Sequence, residues 1–193
     1  MANPSLITEL ELRIALRDLL FTLHGDSAHV VEELGLENGS SRIDLALLAE
    51  TIAGYEIKSD FDSNARLYNQ IHAYNRIFDH IYIVTSPVSA KFIDGLLPSW
   101  WGVLHGERNA EGQVQLRELK KPTTNPGKDT YSLLTLLKRD ELNDFAQDKQ
   151  LPKNIIKGNK PALLDSLADS STLEEVSSYV TESLRARFTL SIA

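Results

Sequence analysis

The chain has 193 residues, 42% of them hydrophobic and 24% charged, a composition that excludes wholesale disorder and a multi-domain machine and fits one well-buried core with a small appendage. Its formal net charge of −7 argues against a protein that coats nucleic acid through bulk positive potential, although an acidic site that gathers cations is compatible with it. Cysteine is absent, which removes disulfides, thiolate metal sites and Cys nucleophiles together. No apolar run approaches the ~20 residues of a membrane span, and "MANPSLITELEL" lacks the basic flank and apolar block of a signal peptide, so the expectation is a cytoplasmic protein without membrane contact.

From Leu6 to Leu23, apolar residues including Leu10, Ile14 and Leu20 recur near helical period, with Glu9, Glu11, Arg13 and Arg17 between them. "AHVVEELGL" and "RIDLALLA" then read as strands separated by the turn residues "ENGSS". "ETIAG" turns the chain into a third strand, "YEIKS". "DSNARLYNQIHAYNRIF" has helical spacing at Leu67, Ile71, Tyr74 and Phe78, with Asp62 or Ser63 as its N-cap. "HIYIVTS" is a buried strand, "SAKFIDGLL" a short helix, and "WWGVLH" with "GQVQLREL" a hairpin. Trp100 and Trp101 read as packing residues rather than a base-stacking platform. "KKPTTNPGKDT" reads as a linker, beyond which the chain is helical. The fold class expected is α/β, a helix, three strands, a helix and a strand forming the core over residues 1–125, with a small all-helical domain over 126–193.

Alternation along the strands places Ile43, Leu45, Tyr55 and Ile57 on one side, and Asp44, Glu56 and Lys58 on the other. Two carboxylates on adjacent strands, pointing the same way, repel unless a cation lies between them. With no cysteine, and no HxxxH or HExxH among the five histidines, the expected cation is a hard one, Mg²⁺ or Mn²⁺, held by Asp44, Glu56 and a backbone carbonyl such as that of Ile57. Lys58 then stands within reach of a metal-bound water or a scissile phosphate. Gln70 and Tyr74, four residues apart, share a helix face.

The stretch "RIDLALL…GYEIKSDFDSNARLYNQIHAYNRIFDHIYIVTS" resembles the PD-(D/E)XK nuclease superfamily, in the branch with a QxxxY helix that includes lambda exonuclease and RecB-type nucleases. The resemblance covers roughly residues 5–120 and implies a restriction-endonuclease-like core. It implies Asp44 and Glu56 as metal ligands, Lys58 as the catalytic lysine, and Gln70 and Tyr74 as residues that hold the lysine, water or DNA strand. Glu33, or failing it Glu9, would complete the acidic set. One departure is that Ile43 precedes Asp44 where the family name has proline. Arg42 faces a phosphate or pairs with Glu32, Glu33 or Glu56, and Asp60 and Asp62 are expected at the helix cap.

Further on, "LKRDELNDFAQDKQLPKNIIKGNKPALLDSLA" resembles a SAP-type helix–extended loop–helix, a small DNA-binding motif, which implies that Lys153, Lys157 and Lys160 grip phosphates. The expected function is thus metal-dependent hydrolysis of DNA by a possible homo-oligomer. The rival reading is a nuclease-like fold that binds DNA or a protein without cutting.

Overall fold

The computed structural model describes residues 6–25, 29–62, 66–93 and 95–189. Helix α1 (Glu9–His24) begins at a capping box, where the Thr8 hydroxyl accepts from Glu11 N–H while the Glu11 carboxylate accepts from Thr8 N–H. Strands β1 (His29–Leu36), β2 (Ser41–Leu48) and β3 (Ile52–Lys58) follow, then α2 (Leu67–Tyr74), β4 (His80–Thr85), α3 (Pro87–Ile93), β5 (Gly102–Arg108) and β6 (Val114–Lys120). The chain closes with α4 (Thr130–Leu134), α5 (Arg139–Asp148), α6 (Lys153–Ile156), α7 (Lys160–Ser170) and α8 (Leu173–Thr189). Among the described residues no helix is long and apolar enough to cross a membrane.

The six strands lie in sequence order in one sheet. β1, β2 and β3 form an antiparallel meander, β3, β4 and β5 run parallel, and β6 returns antiparallel to β5. The expected order of helix, three strands, helix and strand is therefore present, with α2 and α3 as the crossovers that parallel pairing requires. The β5–β6 hairpin is also as expected.

One face of the sheet packs against α1 through Leu12, Leu16 and Leu20, which meet Leu45, Leu47, Tyr55, Ile57, Val84 and Leu104. The other face carries the larger core, in which Ile43, Ile83, Tyr74 and Trp101 are continuous with Leu133, Leu142, Leu163, Val180 and Leu184 of the C-terminal helices. The segment over 121–129 is tethered rather than a loose linker: the buried Asn125 donates to the Asn75 and Phe78 carbonyls, each at 2.7 Å. Nearby, the Lys128 ammonium bonds both Asp79 (2.5 Å) and the Ser177 hydroxyl of α8 (2.6 Å), while Asp79 also accepts from Ile52 N–H.

Several boundaries differ from the sequence reading for local reasons. β3 begins at Ile52, inside the expected "ETIAG" turn, because Ala49 and Thr51 close a tighter one. Gly54 then lies within the strand, where a Cβ would stand 3.0 Å from the Phe78 ring. α2 spans only Leu67–Tyr74 and starts at Arg66 without a side-chain cap. Asp62 accepts instead from Ser59 N–H and hydroxyl, Asp60 accepts from Ile7 N–H and the Ser86 hydroxyl, and Ser63 lies outside the described residues. Both tryptophans are buried, as the packing reading expects.

Lys128→Met should lower the unfolding free energy by about 3 kcal/mol, because it strands a largely buried Asp79 carboxylate, and urea denaturation would read it. The shared core further predicts a single transition for sheet and C-terminal helices. An unchanged midpoint or two separated transitions would contradict these expectations.

Candidate functional site

The site forms where β2 parts from β3. Pairing between the two strands runs from Leu48–Ile52 to Leu45–Tyr55 and stops there. On its other side β2 pairs with β1 before and after Asp44, yet Glu33 and Asp44 do not pair, and Glu33 takes a φ of 56°. A non-glycine residue in the left-handed region breaks the pleat. Consequently Val31 and Leu34, three apart, share one face of β1, and Ile43 packs with Ala46 and Leu48 rather than with Leu45. This corrects the simple alternation that puts Ile43 and Leu45 on one side. Asp44 occupies the step, and its Oδ2 accepts the Ile57 N–H at 2.7 Å, supplying the acceptor that the parted ladder no longer offers.

β3 itself alternates regularly. Tyr55 and Ile57 face α1, while Glu56 and Lys58 meet α2 on the other side. Glu56 is 1% exposed and Lys58 7%, and they are directly bonded, Nζ to Oε1 at 2.7 Å. Gln70 closes a triangle with them: its Nε2 donates to Glu56 Oε1 (2.7 Å) and its Oε1 accepts from Lys58 (3.2 Å). The Tyr74 hydroxyl lies 2.7 Å from Glu56 Oε2 and 2.6 Å from the Arg42 carbonyl, so its one proton serves two acceptors. Burial, followed by the charge of Glu56, raises the Tyr74 pKa and keeps that proton in place. Tyr74 is fully buried, which corrects the expectation of a nucleic-acid contact; it positions Glu56.

Asp44 is pushed up to about 7, chiefly by burial and then by the Glu56 charge, against the opposing pull of the Ile57 N–H, Arg13 and Lys58. Asp44 is thus short of positive charge. The cleft, of about 890 Å³, is lined by the carboxylates Glu9, Glu33, Glu37, Asp44, Glu56 and Asp62 and only three cations, Arg42, Lys58 and Arg66, so an anionic ligand requires added positive charge to enter. Among the described residues no three acidic or imidazole side chains converge as a metal cage. The Asp44 and Glu56 pair nevertheless suits Mg²⁺ or Mn²⁺, since Mg²⁺ sites ordinarily use one or two protein carboxylates and keep several waters.

Asp44, Glu56, Lys58, Gln70, Glu33 and Arg42 all line this cleft, as does Glu9. Glu33 is paired with Arg42 (2.5 Å) and with Arg13 (3.0 Å), so Arg42 makes one of its expected ion pairs while its side chain stays largely exposed. Lys153, Lys157 and Lys160 do not line it. Lys153 opens α6, Lys157 follows its last residue, and Lys160 opens α7, where it bonds the Leu137 carbonyl at 3.2 Å. The expected extended loop contains the helical turn α6.

Sequence reasoning missed Arg13, placed there among the charged residues between the apolar positions of α1. Its guanidinium reaches Glu9 (2.6 Å), Glu32 (3.4 Å), Glu33 (3.0 Å) and Asp44 (3.7 Å) and is only 13% exposed. The one available signal was the i,i+4 spacing of Glu9 and Arg13.

The family profile described as bacteriophage P4 protein cII matches residues 3–191. The chain belongs to the phage P4 cII family. Protein cII of Enterobacteria phage P4 is 27% identical over 185 residues, which is 95% of this chain and 69% of that protein. A solved protein of unknown function from Silicibacter pomeroyi is similar to this cII-family chain over 64% of its length and 74% of the other, at 18% identity and a TM-score of 0.44.

The raised Asp44 pKa carries a sign. The folded chain keeps a proton that the unfolded chain loses from about pH 4, so stability falls as pH rises from about 4 to about 7 and stays lowered above that. Without divalent cations, Asp44→Asn, whose carbonyl still accepts from Ile57, should raise the stability at about pH 8 by on the order of 2 kcal/mol and gain little at about pH 4. Thermal melts in EDTA across that range would test this; equal destabilisation at both ends would refute it.

Proposed function

We propose that the protein is a metal-dependent nuclease that hydrolyses DNA phosphodiester bonds, with Asp44, Glu56, Lys58 and Gln70 at the reacting centre. The observation that carries this reading is the closed hydrogen-bonded unit of Glu56, Lys58 and Gln70, set beside Asp44 at the parting of β2 and β3 and open to an acidic cleft. The order α1–β1–β2–β3–α2–β4 agrees with the restriction-endonuclease-like core that the sequence resemblance implies.

Asp44 and Glu56 would hold Mg²⁺ or Mn²⁺, which when bound supplies an acidified water and positive charge for the phosphate. Lys58 contributes a fixed ammonium. Its stem is buried, its donors are aimed by Glu56 and Gln70, and a further N–H is available to a phosphate oxygen on which charge develops. Gln70 bonds both Glu56 and Lys58 and so sets the spacing between cation ligand and ammonium. Tyr74 fixes the other oxygen of Glu56. Arg42 at the rim, and Lys153, Lys157 and Lys160 on the SAP-like helices, are the phosphate contacts of this reading. In this reading the protein acts on DNA in the cytoplasm, and two copies acting on two strands would give a homo-oligomer a role.

One observation favours the rival reading, a module that binds DNA or protein without cutting. Arg13 already neutralises part of the carboxylate cluster with the chain's own charge.

The purified protein should cut supercoiled plasmid, linear duplex or a labelled single strand with Mg²⁺ or Mn²⁺ and not with EDTA. Lys58→Ala should lower that rate by on the order of 10²–10³, measured at a temperature where the variant, destabilised by the stranded Glu56 carboxylate, is still folded. Full activity in Lys58→Ala would refute the assignment. Binding without cleavage of any substrate would favour the rival.

A further inference from the structure

Arg13 stands where a catalytic cation would be felt most strongly, and its contacts are graded. Leu12 and Leu16, buried beneath the sheet on either side of it in sequence, fix α1 so that Arg13 reaches the break in β1 and β2. Nη2 is closest to Glu9 Oε1 (2.6 Å), next to Glu33 Oε1 (3.0 Å) and furthest from Asp44 Oδ1 (3.7 Å). Nη1 lies 3.3 Å from the Asp44 carbonyl and 3.4 Å from Glu32. The guanidinium is therefore anchored by the half-exposed Glu9 and Glu33 and leans on Asp44. It can withdraw from Asp44 without being stranded. An arginine cannot escape the approach of another cation by losing its proton, because its pKa exceeds ~12. Two positive groups at one carboxylate then compete directly, and the doubly charged one prevails once its concentration suffices.

We infer that Arg13 sets the affinity of the site for its divalent cation: in the cation-free chain its guanidinium bridges Glu9, Glu33 and Asp44, and a hard divalent ion entering at Asp44 displaces it toward Glu9. The inference rests on the reading of Asp44 and Glu56 as a cation-binding pair. It makes Arg13 a positioning residue that keeps the acidic break folded without metal and holds the site open only to ions of higher charge. If Arg13 were merely a clamp between α1 and the sheet, its removal would loosen the break and weaken cation binding. The two roles thus predict changes of opposite sign.

The test is Mn²⁺ binding to the full chain, followed by the electron paramagnetic resonance of free Mn²⁺, for wild type, Arg13→Gln, Arg13→Lys and the double variant Arg13→Gln/Asp44→Asn. Arg13→Gln should bind about tenfold more tightly than wild type. Arg13→Lys keeps the charge but lacks the fork that reaches four carboxylates, and should fall between them. The double variant should lose the binding. Unchanged or weaker binding in Arg13→Gln, with a folded spectrum, would overturn the inference, and Arg13→Lys equal to wild type would do so if the glutamine variant fails to fold. Should wild type cut DNA with metal while Arg13→Gln gains nothing, this inference alone fails. Should neither wild type nor Arg13→Gln bind Mn²⁺ at millimolar concentration, the cation-site reading fails and takes this one with it.

Discussion

The bond from Ile57 N–H to Asp44 Oδ2 is the contact on which the site depends. Where β2 leaves β3, a peptide donor in a largely buried region loses its ladder partner, and leaving it unpaired would cost about 1–3 kcal/mol. A carboxylate takes the bond, and in doing so it is drawn out of water and set close enough to Glu56 for the two charges to be felt. The position that repairs the backbone therefore carries an electrostatic deficit, from burial and the Glu56 charge, which the Ile57 N–H offsets only in part. A sheet that remained regular through Glu33 and Asp44 would have no such deficit and no opening.

The second half of the site is built in the opposite manner, by full satisfaction. Glu56 is almost wholly buried and is hydrogen-bonded at each oxygen, by Lys58 and Gln70 at one and Tyr74 at the other. Such a network is favourable in a low dielectric only if every member has its partner. Tyr74 is held in turn by packing on Phe78 and Trp101, within the core that the C-terminal helices complete. The helices beyond α4 thus contribute to the site indirectly, by excluding water behind it.

Much of this was legible in the sequence. Strict alternation in "GYEIKS" places Glu56 and Lys58 together, and the four-residue spacing of Gln70 and Tyr74 puts both on the face that meets them. Charge pattern and the turn residues between strands were enough to order β1, β2 and β3. The break was not legible, because "RIDLALL" alternates well enough to hide it and the unusual backbone belongs to Glu33 on the neighbouring strand. Arg13 was invisible for a related reason: on a helix with charged residues throughout, only tertiary packing decides which of them turns inward. Asp60 and Asp62 looked like helix caps, yet their oxygens serve Ile7, Ser86 and Ser59 instead.

The central claim is that Asp44 and Glu56 form a cation site beside Lys58. It is tested most directly by diffraction from crystals of the protein soaked in Mn²⁺, with data collected at the manganese absorption edge. The account predicts an anomalous peak between Asp44 and Glu56, at oxygen coordination distance from Asp44, with Lys58 still bonded to Gln70. A soaked crystal with no peak there, and with Arg13 still against Asp44, would contradict it.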